Sequence, residues 1–89
     1  MLLTKERVNS TEKALVYIID CTLATVEYMA GLKRRPKHEF ERQISIAQTG
    51  IDWVQAFKID TSGTRIEEVD GDVNKWANNW IEKYKHLRL

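Results

Sequence analysis

Cysteine, proline, glycine and net charge are all in short supply in this chain, and each shortage narrows what it can be. The single cysteine, Cys21, excludes an internal disulfide and any cysteine-rich zinc knuckle, and it fits a reducing cytoplasm. The one proline, Pro36, falls in a short connector. Four dispersed glycines form no glycine-rich phosphate loop. The 14 basic and 13 acidic residues leave +1, so no global field draws the chain to nucleic acid or anionic lipid. Long apolar runs are missing too. Met1-Leu2-Leu3 gives way at once to Thr4-Lys5-Glu6-Arg7, without the apolar core of a secretory signal. Asp20 and Glu27 interrupt the longest apolar stretch before it reaches the roughly 20 residues of a membrane span. No cofactor, metal or membrane partner is expected.

What remains is a helical pattern. The stretch from Glu12 to Leu32 is the apolar axis of the chain. On a helical wheel it carries Leu15, Ile18, Ile19, Val26, Met29 and Ala30 on one side and Ala14, Tyr17, Cys21, Ala24 and Tyr28 on the other. Only a narrow polar stripe separates them, Lys13, Asp20 and Glu27 at intervals of seven. A helix at the edge of a bundle needs only about 100° of apolar arc. This one is therefore expected to be the most buried, covered on several sides, with Cys21 acting as a small hydrophobe.

Two starts compete for the first helix: Thr4 as N-cap, with Leu3 and Val8 as a hydrophobic staple, or Asn9 with Glu12 closing a capping box. Thr4 is favoured, with a weak point at Asn9-Ser10-Thr11. Gly31 is placed as a left-handed C′ residue, with Leu32 folding back on Val26. After the connector Lys33-Arg34-Arg35-Pro36-Lys37-His38, Pro36 suits the first position of a second helix. Phe40, Ile44, Ala47, Ile51 and Val54 form its apolar stripe, flanked by Ile46, Gly50, Trp53 and Phe57. Gly50 marks a close helix approach, placed opposite Ala24. Residues 59–71 break the pattern at Thr61-Ser62-Gly63 and Asp70-Gly71, an acidic loop with room for a short strand or a helical turn at Arg65 to Val69. A third helix starts at an aspartate cap, Asp70 or Asp72. It lays Val73, Trp76, Ala77, Trp80, Ile81, Tyr84 and Leu87 on one face opposite a wholly polar one.

Charge is segregated along the chain even though the total nearly cancels. Lys33, Arg34, Arg35, Lys37 and Arg42 cluster around the connector, whereas Asp60, Glu67, Glu68, Asp70 and Asp72 cluster after the second helix. The acidic run fails as a calcium loop in both registers. Lys58 and Val69 occupy the terminal ligand positions of one; Lys75 and Ile81 replace the glycine and glutamate of the other. Tryptophans 53, 76 and 80 fall on or beside apolar helix faces and are read as core rather than as a base-stacking platform. His38 and His86 are isolated. No nucleophile and base stand together, and Asp20 reads as a pairing residue for Lys13, Arg42 or a second chain.

These observations predict a single all-α domain over 1–89, a three-helix antiparallel bundle with helices near 5–31, 36–58 and 72–87, completed by self-association. The expected function is a non-enzymatic interaction or accessory protein that binds an unidentified protein partner. The alternative is a nucleic-acid or phosphate binder using Lys33, Arg34, Arg35, Lys37 and Arg42. A homodimer is expected through Tyr17, Ala24 and Tyr28, with Lys13 of one chain near Glu27 of the other and Asp20 between them. The competing expectation is that residues 59–71 fold over that flank.

Overall fold

The computed structural model describes residues 5–87, in which four helices follow one another: α1 Lys5–Ala30, α2 Lys37–Ala56, α3 Ile66–Val69 and α4 Val73–Leu87. No strand occurs among the described residues, so the all-α expectation holds. The helical turn foreseen in the acidic loop is α3.

The ends of these helices show where local chemistry agrees with the sequence. α1 starts after Thr4, whose expected capping role lies outside the described residues, and it runs unbroken through Asn9-Ser10-Thr11, the expected weak point. Its other end is not the left-handed glycine cap: among the described residues only Gly63 and Gly71 are glycines at positive φ. The last turn tightens instead, with the Gly31 N–H donating to Tyr28 O and the Leu32 N–H to Met29 O, both at 3.1 Å. Arg35 then completes the cap, its Nη1 donating to Ala30 O at 2.9 Å and to Leu32 O at 3.0 Å.

Pro36 serves α2 as N-cap rather than as first helical residue. α2 ends in a Schellman turn around Lys58, at φ 52°, with the Lys58 N–H donating to Gln55 O and the Ile59 N–H to Val54 O. A lysine holds the left-handed position that glycine occupies most cheaply. Of the two candidate aspartate caps, Asp72 starts α4, its Oδ1 accepting the Lys75 N–H at 3.1 Å. Asp70, at φ 54°, ends α3, and Gly71 follows at φ 81°, where a side chain would be strained. One side chain of α2 fixes this junction. Gln48 donates through Nε2 to Gly71 O and accepts the Val73 N–H on Oε1, each at 2.9 Å.

α2 folds back along α1. Ile19 and Gly50, each near the middle of its helix, meet so closely that a Cβ at position 50 would stand 2.6 Å from Ile19 Cγ1. The close approach expected at Gly50 is present, but it is made to Ile19 and not to Ala24. α4 packs on both long helices, and its Tyr84 ring lies beside Gly31 at the end of α1. Leu23, Val26, Ala47, Ile51, Val54, Val73 and Ala77 form the fully buried centre, with Ile66 and Val69 of α3 closing it. Among the described residues no polar side chain is buried.

α1 is not covered on several sides. Val16, Ile19, Leu23, Val26, Met29 and Ala30 are buried, but Tyr17, Ile18 and Tyr28 are 68%, 58% and 69% exposed, and Cys21 is exposed rather than packed as a core hydrophobe. The reason is a shortage of partners. α2 and α4 both lie on the inner side of α1, and α3, a single turn, cannot reach round to the other. The same shortage strands Trp53 and Phe57 of α2 at 57% and 63% exposure, against the core reading of Trp53, whereas Trp76 is buried as expected.

Candidate functional site

The polar stripe of α1 is closed from within the chain. Arg65, just before α3, brings two kinds of donor to it. Its backbone N–H donates to Asp20 Oδ1 at 2.9 Å and its Nε donates to Glu27 Oε2 at 2.9 Å, while Nη1 stands 3.4 Å from both Asp20 oxygens. A guanidinium is suited to this because its donors are fixed in a fork that can serve two carboxylates one above the other. The bond to Glu27 holds the Arg65 guanidinium above its ordinary value against the effect of its partial burial, with the Asp20 charge acting in the same direction. Asp20 therefore pairs with neither Lys13 nor Arg42. The loop reaches Asp20 and Glu27 but does not fold over the flank as the competing expectation had it, since Tyr17 and Tyr28 stay bare.

Two open grooves flank the Arg65 contact. One, of about 490 Å³, is lined by Glu12, Lys13, Tyr17, Asp20, Ile59 and Asp60 among others. The second, of about 670 Å³, lies among Asp20, Glu27, Arg65, Glu67, Glu68 and Trp80. Both are rich in carboxylates, but among the described residues no group of three or more His, Cys, Asp or Glu is placed to hold a metal ion. The Ser62 hydroxyl is donated to Asp60 in a local turn.

The basic connector is divided in its roles. Arg35 is engaged in capping α1 and lies 5.7 Å over the Phe40 ring. Arg42 stands 3.8 Å from Glu39 on the exposed face of α2. Lys33, Arg34 and Lys37 are exposed and carry no ion pair within the described residues.

A further surface feature is apolar. Ala14, Tyr17, Ile18, Cys21, Thr25 and Tyr28 fall within about 100° of arc on α1, a run of four turns without a charge. Thr22 and Thr25 donate their hydroxyls to Ile18 O and Cys21 O. The Tyr17 phenol is held above its ordinary value first by a hydrogen bond with Cys21 and then by that group's charge, burial and Asp20 adding to both. Beyond Ile18, across the approach of Gly50 to Ile19, α2 continues the surface with Ile46, Trp53 and Phe57, which lie on one side of that helix.

Of the residues named from sequence, Tyr17, Ala24 and Tyr28 lie on or beside this face, Lys13, Asp20 and Glu27 run along its edge, and the five basic residues lie at or just beyond the α1–α2 turn. Arg65 was legible only as the lone cation in an acidic loop. Its signal was the pair of carboxylates seven apart on α1, which lack a cation on their own helix at the next turn. No family model, no curated protein and no solved structure matches the chain.

Proposed function

We propose that this chain is a small non-enzymatic interaction protein that binds a macromolecular partner through the apolar face of α1 and α2. In this reading α1, α2 and α4 form an antiparallel three-helix bundle, which self-association completes. The observation that carries it is the exposure of Tyr17, Ile18, Tyr28, Trp53 and Phe57, each more than half open to solvent in a chain whose described interior is wholly apolar. A soluble monomer rarely leaves contiguous apolar patches beyond a few hundred Å². Among the described residues no helix is long and apolar enough to cross a membrane. The shifted groups, Tyr17, Asp60 and Arg65, are each explained by a neighbouring bond, although Tyr17 and Asp60 share the open groove beside the Arg65 contact.

Nucleic-acid or phosphate binding at the connector is the second reading, favoured by the unpaired Lys33, Arg34 and Lys37. One comparison separates the two. Tagged wild type, an Ile18→Glu/Trp53→Glu variant and an Arg34→Glu/Lys37→Glu variant are each used for quantitative capture from the chain's own cells, with circular dichroism confirming equal helix content. The reading requires a protein retained by wild type and by the connector variant and lost by the face variant. A partner that survives the face variant overturns it. Binding to DNA or RNA that falls steeply with salt and vanishes in the connector variant carries the alternative instead.

A further inference from the structure

We infer that the occupant of the α1 face is a second copy of this chain, docked antiparallel with its twofold axis at Cys21. The inference rests on the apolar face being a docking site and names what docks there. Its ground is a symmetry in the order of exposed side chains. Under a twofold axis at position 21, residues whose numbers sum to about 42 meet at the same height. Tyr28 of one copy then lies over Ala14 of the other, Tyr17 over Ala24, and Ile18 over Thr25.

Each large exposed residue thus meets a small one on the matching side of the helix, as knobs entering holes require. A parallel pair would set Tyr17 on Tyr17 and Tyr28 on Tyr28. Charge agrees with size. Lys13 borders the stripe on the side of Asp20 and Glu27, and the same operation brings it to the height of Glu27 of the second copy, where Arg65 has already fixed the carboxylate. No charge is placed on the contact itself, and the Thr22 and Thr25 hydroxyls are already satisfied.

The area approaches that of a specific interface once α2 joins the rim. At about 150–250 Å² per aromatic side chain, Tyr17, Tyr28, Trp53 and Phe57 at 57–69% exposure offer roughly 400–600 Å². Ile18 and Ile46 raise this toward the ~800 Å² that each partner contributes to a specific interface.

Cys21, the only cysteine, supplies the test. On the axis it faces its own copy. Two thiols, one from each chain, lose two protons and two electrons, and added glutathione disulfide takes them up as two molecules of glutathione. Position 25 moved to cysteine in a Cys21→Ala background lies about 12 Å along the axis from its symmetry mate, beyond the ~7 Å Cα limit of a disulfide. Ser45→Cys in the same background, on the outer side of α2, measures random collision.

The full chain should sediment as a dimer at micromolar concentration. Cys21 should cross-link at least ~10 times more than the Ser45→Cys control, and Thr25→Cys should match that control. Mixed Ile18→Cys and Thr25→Cys chains, both lacking Cys21, should cross-link to each other. Tyr28→Glu and Ile18→Lys should each give a monomer of unchanged helix content. A monomeric wild type overturns the inference and leaves the docking face to the capture comparison. Equal cross-linking through positions 21 and 25 shows a parallel pair and also overturns it, as does a dimer that survives both surface variants.

Discussion

Asp60 accepts two bonds from Ser62, one from the hydroxyl and one from the backbone N–H at 3.0 Å, and so begins the turn that follows α2. Both bonds favour the ionised carboxyl and hold it below the usual carboxylate range, the hydroxyl contributing most. A depressed folded value stabilises the turn above the pKa of the unfolded chain, and that contribution is lost as pH falls through the folded value. In an NMR titration the Asp60 carboxyl should have a midpoint below that of an unstructured aspartate. Ser62→Ala should return it only part of the way, because the backbone N–H remains. A midpoint equal to the free value would refute the turn. Thr61-Ser62-Gly63 was legible as a break in the helical pattern, but the partner of Arg65 was not. A lone arginine among acids has many nearby carboxylates to choose from, and only the fold sets it against Asp20 and Glu27, at separations of 45 and 38 residues.

The helices themselves were the most readable part, since their spacing is local, whereas the caps expected at Gly31 and Pro36 were not met. The all-α class, an aspartate cap at Asp70 or Asp72 and the polar outer face of α4 all follow from residues a few positions apart, and the structure decides the cap for Asp72. Gly50 was readable as a close approach, but its neighbour was not, because Ile19 and Ala24 lie a turn and a half apart and the register between two helices depends on all their contacts. Ile19 is buried, so it has little room to yield to a new methyl group. Gly50→Ala should gain about 1 kcal/mol in helix propensity and lose about 1–3 kcal/mol to overpacking, a net loss or near balance on urea unfolding. In an Ile19→Ala background the same substitution should become stabilising by about 1 kcal/mol. If Gly50→Ala stabilises equally in both backgrounds, the contact is not what glycine serves.

Over the whole molecule, the sequence shows that α1 has more apolar surface than a bundle edge needs, but it does not show which part goes uncovered. Leu15, Ile18 and Ile19 lie on one side of a wheel, and only the placement of α2 and α4 separates buried Ile19 from exposed Ile18. The Arg65 contact has a kinetic consequence. α1 and α2 are joined by a short turn and can pair early, whereas the bonds from Arg65 to α1 close a loop of 45 residues and must wait for the chain to return. Native contacts made after the rate-limiting step act on the unfolding arm of a chevron and leave the folding arm in place. Arg65→Ala, removing a half-exposed pair of ion contacts, should cost about 1 kcal/mol, seen as an unfolding rate about fivefold faster with refolding unchanged. Slower refolding would mean instead that the closing of residues 59–66 onto α1 belongs to the folding nucleus, and that the chain assembles around its acidic segment from the start.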